Sequence, residues 1–588
     1  MTMEAWTAVA VTVGVFVLLA ATRVAPYLIL MGGVAVLLVL GVLSPEQALS
    51  GFANPGMITV ATLFVVVAGL RQTGVLSRLG QSLLGRPAGL TGAMARLSLP
   101  VLGASAFLNN TPVVAMLMPV VVEWARAIRI SQTKLLIPLS YAAILGGLCS
   151  LLGTSTNLVV NGLLIQTGRP GLNLFDITWV GLPAAVAGLA FLLGVGRYLL
   201  PSREGPDMAH VDPREYTVEM VVTGRGALVG KTIQEAGMRR LMGVFLAEID
   251  RQGHVIPAVR PDQVLQAGDQ LIFVGRVDAI ADLQKIAGLA PATRQVFKLD
   301  SPRAERVFAE AVVSGTSPLL GTTIRDGRFR TRYNAVVLAV SRNGERIQAR
   351  IGDIVLQPGD GLLLETTPSF VEQQRYASDF YLVSVLEGDG PPTGERTWVA
   401  LAILVGMVAL AASGLSSVLV AALLAAGLML LTRCCSEEAA RRSLDLPLLI
   451  TIAAALGLGQ ALLHTGAAVA LAQGLLQFAG DHPWLALAIV YGMTTILSEF
   501  VTNNAAAVIV FPIAISVAEQ LQVNIMPFVI VTMIAASASF ATPLGYQTNL
   551  MVYGAGGYRF HDFLRIGLPM SALIWTVSVL ITPLMWPF

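Results

Sequence analysis

Ser105-Ala-Phe-Leu-Asn109-Asn110-Thr111-Pro112 and Ser498-Glu499-Phe-Val-Thr502-Asn503-Asn504-Ala505 are two amide-rich stretches set in apolar sequence. Each is followed by a proline 14 residues after its serine, Pro119 and Pro512. Working outward, Gly153-Thr-Ser-Thr-Asn157-Leu-Val-Val-Asn161-Gly162 recurs as Gly545-Tyr-Gln547-Thr-Asn549-Leu-Met-Val-Tyr553-Gly554. Thr73-Gly74 recurs as Thr465-Gly466, and Asp176 with Gly181-Leu-Pro183 recurs as Asp562 with Gly567-Leu-Pro569. Four matches in the same order, at an offset near 392, make the chain a duplication.

Of the 588 residues, 55% are apolar and 13% charged, with a mean hydropathy of +0.72. Residues 201–396 carry 48 of the 74 Lys, Arg, Asp and Glu. The remaining sequence is built from apolar runs of membrane-spanning length. This is the pattern of a polytopic α-helical membrane protein with one water-soluble block inserted between its halves. The runs lie at 5–22, 25–43, 55–72, 134–165 (interrupted at Gly153) and 177–200, then at 397–412, 414–432, 446–463, 525–554 and 566–586. The Asn-centred segments 93–124 and 483–516 pair two apolar arms around a polar tip, which predicts a re-entrant hairpin in each half. Five crossings per half is an odd number, so the two repeats are expected to be inverted.

Basic residues orient the chain. With the N-terminus outside, fourteen Arg and Lys fall on the inner side and only Arg169 on the outer side. That predicts both termini outside, residues 201–396 in the cytoplasm, and a multi-pass protein of the bacterial inner membrane. The Arg residues thus serve topology, and a net charge of +2 gives no reason to expect nucleic acid. Residues 71–87 alternate Val75, Leu76, Leu79, Leu83 and Leu84 with Arg71, Arg78 and Arg86, the pattern of a helix on the inner surface. Cys149, Cys434 and Cys435 form no disulfide framework and no metal-ligand spacing. No basic segment precedes the first apolar run, so no cleaved leader is expected.

Inverted repeats with broken helices are secondary-transporter architecture. Non-helical backbone at membrane depth is tolerated where protein buries it or it lines a wet cavity. Freed N–H groups suit an anion, while freed carbonyls and neutral side-chain oxygens suit a sodium ion. None of the four motifs contains Lys or Arg. The competing reading is that Asn and Thr are only interhelical hydrogen-bond glue, and duplication of both tip and break weighs against it. For Asn161, Tyr553 and Gln547 packing is the simpler expectation, and Asp176 and Asp562 read as helix caps. Glu499, where the first repeat has Ala106, is a functional candidate by its depth; a pairing or capping role is the alternative.

These motifs resemble the divalent anion:sodium symporter family over both membrane halves. The resemblance implies two inverted five-helix repeats, each with a hairpin, acting by alternating access as a homodimer. It implies sodium sites at Ser105, Asn109, Asn110 and Cys149 and at Ser498, Thr502, Asn503 and Ala541. It implies anion contacts at Asn110, Thr111 and Ser150 and at Asn503, Asn504, Thr542 and Pro543. Na+ is the coupling ion and no organic cofactor is implied. The tips read Asn109-Asn110-Thr111 and Thr502-Asn503-Asn504 where the family has Ser-Asn-Thr, and this form resembles the subgroup linked to sulfate uptake. A small divalent oxyanion, sulfate first, is the implied substrate. A C4-dicarboxylate symporter and an anion exchanger stay open, as do a gated channel and a transporter-like receptor.

Residues 214–285 and 305–376 repeat at an offset of 91, with Leu265-Gln-Ala-Gly268-Asp269 matching Leu356-Gln-Pro-Gly359-Asp360 and Gly253 matching Gly344. Short alternating runs at 219–222, 243–247 and 270–274, with a helix near 232–240, predict two small α+β modules, 201–298 and 299–396. They divide membrane repeats 1–200 and 397–588. The modules resemble RCK C-terminal (TrkA-C-like) domains, which implies a ligand-sensing role. Arg325, Arg328, Arg330 and Arg332 suit a phosphate-bearing, nucleotide-like effector or simply a solvated basic face. His210 and His254 are isolated, so no catalytic constellation is present and no enzyme is expected.

Overall fold

The computed structural model describes residues 2–22, 24–75, 84–85, 87, 89–202 and 396–588. Within the central block it describes 217–224, 227–238, 244–251, 254–257, 259, 262–275, 286–291, 307–314, 317–342, 345–347, 349, 351–366, 370, 374 and 379–385. The chain forms two compact units. One comprises Met1–Arg203, Gly390–Val552 and Arg559–Phe588, and the other Glu204–Asp389 with Tyr553–Tyr558.

The first unit is helical. Among the described residues, five helices are long and apolar enough to cross a membrane: Pro45–Gln72, Thr178–Leu199, Leu446–His464, Pro483–Phe500 and Phe560–Met585. Shorter apolar helices, among them Met3–Ala21, Pro26–Val39, Thr397–Ala412 and Val418–Leu431, follow the predicted runs. Burial is graded from inside to outside. Asn503–Gln520 is buried from Asn503 through Ala518, while Trp398, Leu431 and Phe478 are largely exposed on other helices. Large apolar side chains facing outward suit hydrocarbon rather than water.

Each half has a helix pair around its Asn-rich tip and a helix broken after it. Leu90–Ser105 turns into Asn110–Ala127, and Pro483–Phe500 into Asn503–Gln520. The broken helices are Leu136–Gly147 with Ser155–Gln166, and Met526–Ser537 with Gln547–Gly556. The repeated Gly-Leu-Pro also has a packing reason. A Cβ on Gly181 would stand 1.9 Å from Leu148 O, and one on Gly567 2.1 Å from Phe540 O. Both glycines therefore let the last helix of a half lie against the broken segment.

The sequence reading missed the short helices Glu437–Ser443 and Ala467–Ala479. The second follows Thr465-Gly466 with one apolar and one polar face, which a search for 20-residue apolar runs overlooks. Most of the surface helix expected at 71–87 lies outside the described residues, as do Arg23, His210, Gly253 and Gly344.

The second unit holds two five-stranded antiparallel sheets. The first contains β1 (Thr217–Val222), β2 (Val244–Arg251), β3 (His254–Pro257), β4 (Gln270–Gly275) and β5 (Leu289–Pro291) in the order β3-β2-β4-β1-β5. The second contains β6 (Val307–Val313), β7 (Val336–Arg342), β8 (Glu345–Arg346), β9 (Gly361–Thr366) and β10 (Phe380–Val385) in the order β10-β6-β9-β7-β8. Renumbered from the start of each sheet, the two orders are the same. The Leu-Gln-x-Gly-Asp motif is a turn into β4 and into β9. Gly268 and Gly359 both have φ +84, which a residue with a Cβ adopts reluctantly. Arg251 grips Asp269 through two 2.8 Å bonds, and Arg342 grips Asp360 through two of 2.7 Å. The helix expected at 232–240 is corrected: Thr232 pairs with Val264 in an isolated β-bridge and residues 233–238 form hydrogen-bonded turns, with Gly237 at φ +70. In the second sheet's module the helix is Phe329–Tyr333, further along.

Candidate functional site

The tips and breaks of the two halves are held together by a network of neutral hydrogen bonds. The breaks come first, because they leave carbonyls without helical partners. Asn157 Nδ2 donates to Gly147 O (3.2 Å) and Ser150 O (2.9 Å). Asn549 Nδ2 donates to Ser539 O (3.0 Å) and Thr542 O (3.2 Å), the matching carbonyls of the second half. Each asparagine bridges its own break from the helix that follows. Both lay in the duplicated Gly-to-Gly stretch, and that duplication was the signal by which they could have been chosen.

The tips are built on helix starts. Asn109 Oδ1 accepts from Thr111 N (3.5 Å), and Thr502 Oγ1 accepts from Ala505 N (3.4 Å), so these matched residues cap the helices they precede. Asn110 is fully buried. With its amide turned so that every contact joins a donor to an acceptor, its nitrogen faces Ser105 Oγ (2.7 Å), Ala143 O (2.9 Å) and Gly153 O (3.2 Å). Its oxygen then accepts from Tyr546 Oη at 2.7 Å. Tyr546 Oη also lies 3.3 Å from Thr154 Oγ1.

The ends of the tips reach across to the opposite half. Thr111 Oγ1 donates to Gln547 Oε1 (3.2 Å), and Asn504 lies 3.3 Å from Ser155 Oγ. Gln547 and Ser155 are counterparts under the duplication, so the exchange is reciprocal: each tip touches the break of the other repeat. Tyr141 Oη adds a further cross-bond, to Phe540 O at 2.7 Å. Gln547 is thus not merely packed, as its sequence alone suggested.

Within each half, tip arm and break are also joined, differently. In the first, Ser150 Oγ donates to Ala106 O. In the second, Thr542 Oγ1 donates to Glu499 Oε2 (2.7 Å), and Ala541 N and Thr542 N donate to the same carboxylate (3.1 and 3.0 Å). Glu499 is half-buried and takes the pairing role.

The other expected site residues are less closely joined. Ser498 Oγ donates to Thr495 O within its own helix (3.0 Å), unlike Ser105, which meets Asn110. The Cys149 thiol turns back to Leu145 O (3.5 Å), and its carbonyl accepts from Thr178 Oγ1 (2.5 Å). Pro543 follows Thr542 in the second break. Asn503 is buried, and its Oδ1 has no hydrogen-bond partner among the described residues. An orphan buried oxygen costs about 1–3 kcal/mol, a cost that a bound cation or water would remove. Among the described residues no group of three or more His, Cys, Asp or Glu is placed to hold a metal.

In the second unit, Arg328 and Arg332 line a cavity of about 370 Å³ with Thr322, Asp326 and Thr331. Arg325 is paired with Asp353 at 2.8 Å.

The sequence matches the citrate transporter family (CitMHS) over residues 16–531 and 464–587. A Chlamydomonas reinhardtii protein named "Putative sulfur deprivation response regulator" is 37% identical, over 92% of this chain and 95% of its own length. An uncharacterized transporter of Synechocystis is 33% identical, over 94% of this chain and 92% of its own. The Chlamydomonas sodium/sulfate cotransporter 2 is 27% identical, over 92% and 84% respectively. The family and the relatives named as transporters indicate a transporter rather than an enzyme.

Proposed function

The chain belongs to the citrate transporter family, a family of membrane transporters, and we propose that it is a sodium-coupled symporter of a small divalent oxyanion, sulfate first. The observation that carries this reading is the reciprocal crossing of Thr111 to Gln547 and Asn504 to Ser155. It draws both tips and both breaks into one set of neutral hydroxyl, amide and backbone groups. A tetrahedral dianion needs only convergent donors. Without Lys or Arg in these motifs, its charge must be met by co-bound cations; one such pair 4 Å apart gains about 4 kcal/mol at an effective dielectric of 20. The unpartnered Asn503 Oδ1 and the break carbonyls are oxygens of the kind sodium takes. The sodium/sulfate cotransporters among the relatives support both the ion and the anion.

In this reading each half is a five-crossing repeat, 1–200 and 397–588, inverted relative to the other, with its tip a re-entrant hairpin. Sodium is held at Ser105, Asn109, Asn110 and Cys149 and at Ser498, Thr502, Asn503 and Ala541. The anion is held at Asn110, Thr111, Ser150, Asn503, Asn504, Thr542 and Pro543, with Gln547 and Ser155 now added. The protein is a homodimer in the bacterial inner membrane with both termini outside. Modules 201–298 and 299–396, of RCK C-terminal type, are cytoplasmic and regulate transport through a small effector. The Arg328–Arg332 cavity suits an anionic one.

Uptake of radiolabelled sulfate into proteoliposomes, with and without an inward sodium gradient, is the test. Sodium-driven accumulation is expected, and sulfate uptake indifferent to sodium would defeat the reading. The family's description favours one second reading, a di- or tricarboxylate substrate. A competition panel of sulfate, thiosulfate, molybdate, succinate and citrate separates the two.

A further inference from the structure

Across residues 105–119, 145–162, 498–512 and 537–554, Glu499 is the one side chain of the Asp, Glu, Lys, Arg or His type. Its counterpart by the duplication is Ala106. In the first half a single neutral bond, Ser150 Oγ to Ala106 O, ties break to arm, and Cys149 N bonds back to Gly146 O at 2.9 Å. In the second half, the groups matching Cys149 N and Ser150 Oγ, namely Ala541 N and Thr542 Oγ1, both end on the Glu499 carboxylate, together with Thr542 N. The carboxylate therefore does two things. It engages Ala541 N, Thr542 N and Thr542 Oγ1, and it sets a carboxylate four residues before Asn503, whose Oδ1 has no hydrogen-bond partner among the described residues.

We propose that Glu499 is a positioning residue that commits the second repeat to the cation, making the two halves electrostatically unequal although their sequences are duplicated. The inference rests on the sodium-symport reading and deepens it by assigning the tighter cation side to the second tip. A carboxylate that already receives three donors from the break keeps its orientation, so it acts on the ion through its charge rather than as a ligand. A purely structural staple would need the three bonds and not the charge.

The test compares Glu499→Gln with Glu499→Asp. Glutamine keeps the size and one acceptor and removes the charge; aspartate keeps the charge on a shorter arm. E499Q is expected to raise the sodium half-saturation of anion uptake at least tenfold. The anion half-saturation at saturating sodium should stay within threefold, and so should both constants in E499D. In parallel, the extra thermal stability that purified wild-type protein gains in sodium chloride over choline chloride should be lost in E499Q. An unchanged sodium response in E499Q overturns the proposal. So does an E499D variant as impaired as E499Q, or an E499Q variant that cannot be recovered folded, since each points to structure alone. A wild-type protein with no sodium-driven anion uptake defeats the symport reading instead, and the sodium-specific stabilisation then still decides the role of Glu499.

Discussion

The two Asn-rich tips descend from one motif and have diverged in how they are satisfied. The first is closed: Asn110 is surrounded by Ser105, Ala143, Gly153 and Tyr546, and its break is tied by a neutral hydroxyl. The second is open: Asn503 keeps an oxygen with no partner among the described residues, Ser498 bonds within its own helix, and a carboxylate ties the break. Duplication preserved the scaffold, two caps and two bridging asparagines, while the polar groups left over differ. A closed tip holds its shape without a ligand. An open one leaves an oxygen for a ligand to complete.

The largest expected effect tests what the halves share. Asn157→Leu and Asn549→Leu each strip donors from two break carbonyls, at about 1–3 kcal/mol per buried orphan group. Both should destabilise the protein by similar amounts, read as loss of thermal stability in detergent; a clear inequality would mean that the breaks are not equivalent.

Next comes the contrast itself. Asn110→Ala removes a fully partnered amide and should cost about 2 kcal/mol of stability together with transport. Asn503→Ala should leave stability within about 1 kcal/mol of wild type and act mainly on sodium dependence. Equal destabilisation by the two, measured by thermal unfolding without sodium, would erase the closed-and-open distinction.

Thr111→Ala and Asn504→Ala sharpen the crossing. Each removes one contact to the opposite break and should weaken anion half-saturation by about tenfold, or roughly 1.4 kcal/mol. Sodium half-saturation should move less, although the two are coupled. Unaltered competition profiles in both would take these residues out of the anion site.

The smallest effect on transport itself is expected from replacing 203–394 with a flexible linker. Sodium-driven uptake should persist with an altered rate, by a coupling of about 1–3 kcal/mol. A folded, inserted deletion variant with no uptake at any anion concentration would argue against regulation.

Much of this was legible in the chain. The duplicated Gly-to-Gly stretches marked both breaks, because a broken helix needs the same residues wherever it occurs. The matching sheet orders of the second unit were likewise foreshadowed by Gly268-Asp269 and Gly359-Asp360. Ala467–Ala479 does not register as a membrane-length apolar run because it is only 13 residues long. Residues 233–238 form turns in place of the expected helix, with Gly237 at a φ of +70 that an α-helix does not use.

The sequence by itself determined that there are two tips, two breaks and a soluble insert, since composition and periodicity report what each segment can bury. Only the tertiary structure decided that each tip meets the other repeat's break, and that Glu499 ties the second break where a neutral hydroxyl ties the first. Hydrogen bonds between Thr111 and Gln547 or Asn504 and Ser155 join residues hundreds of positions apart. Their pairing depends on distance and direction in space, and a duplicated motif is the same string whichever partner it faces.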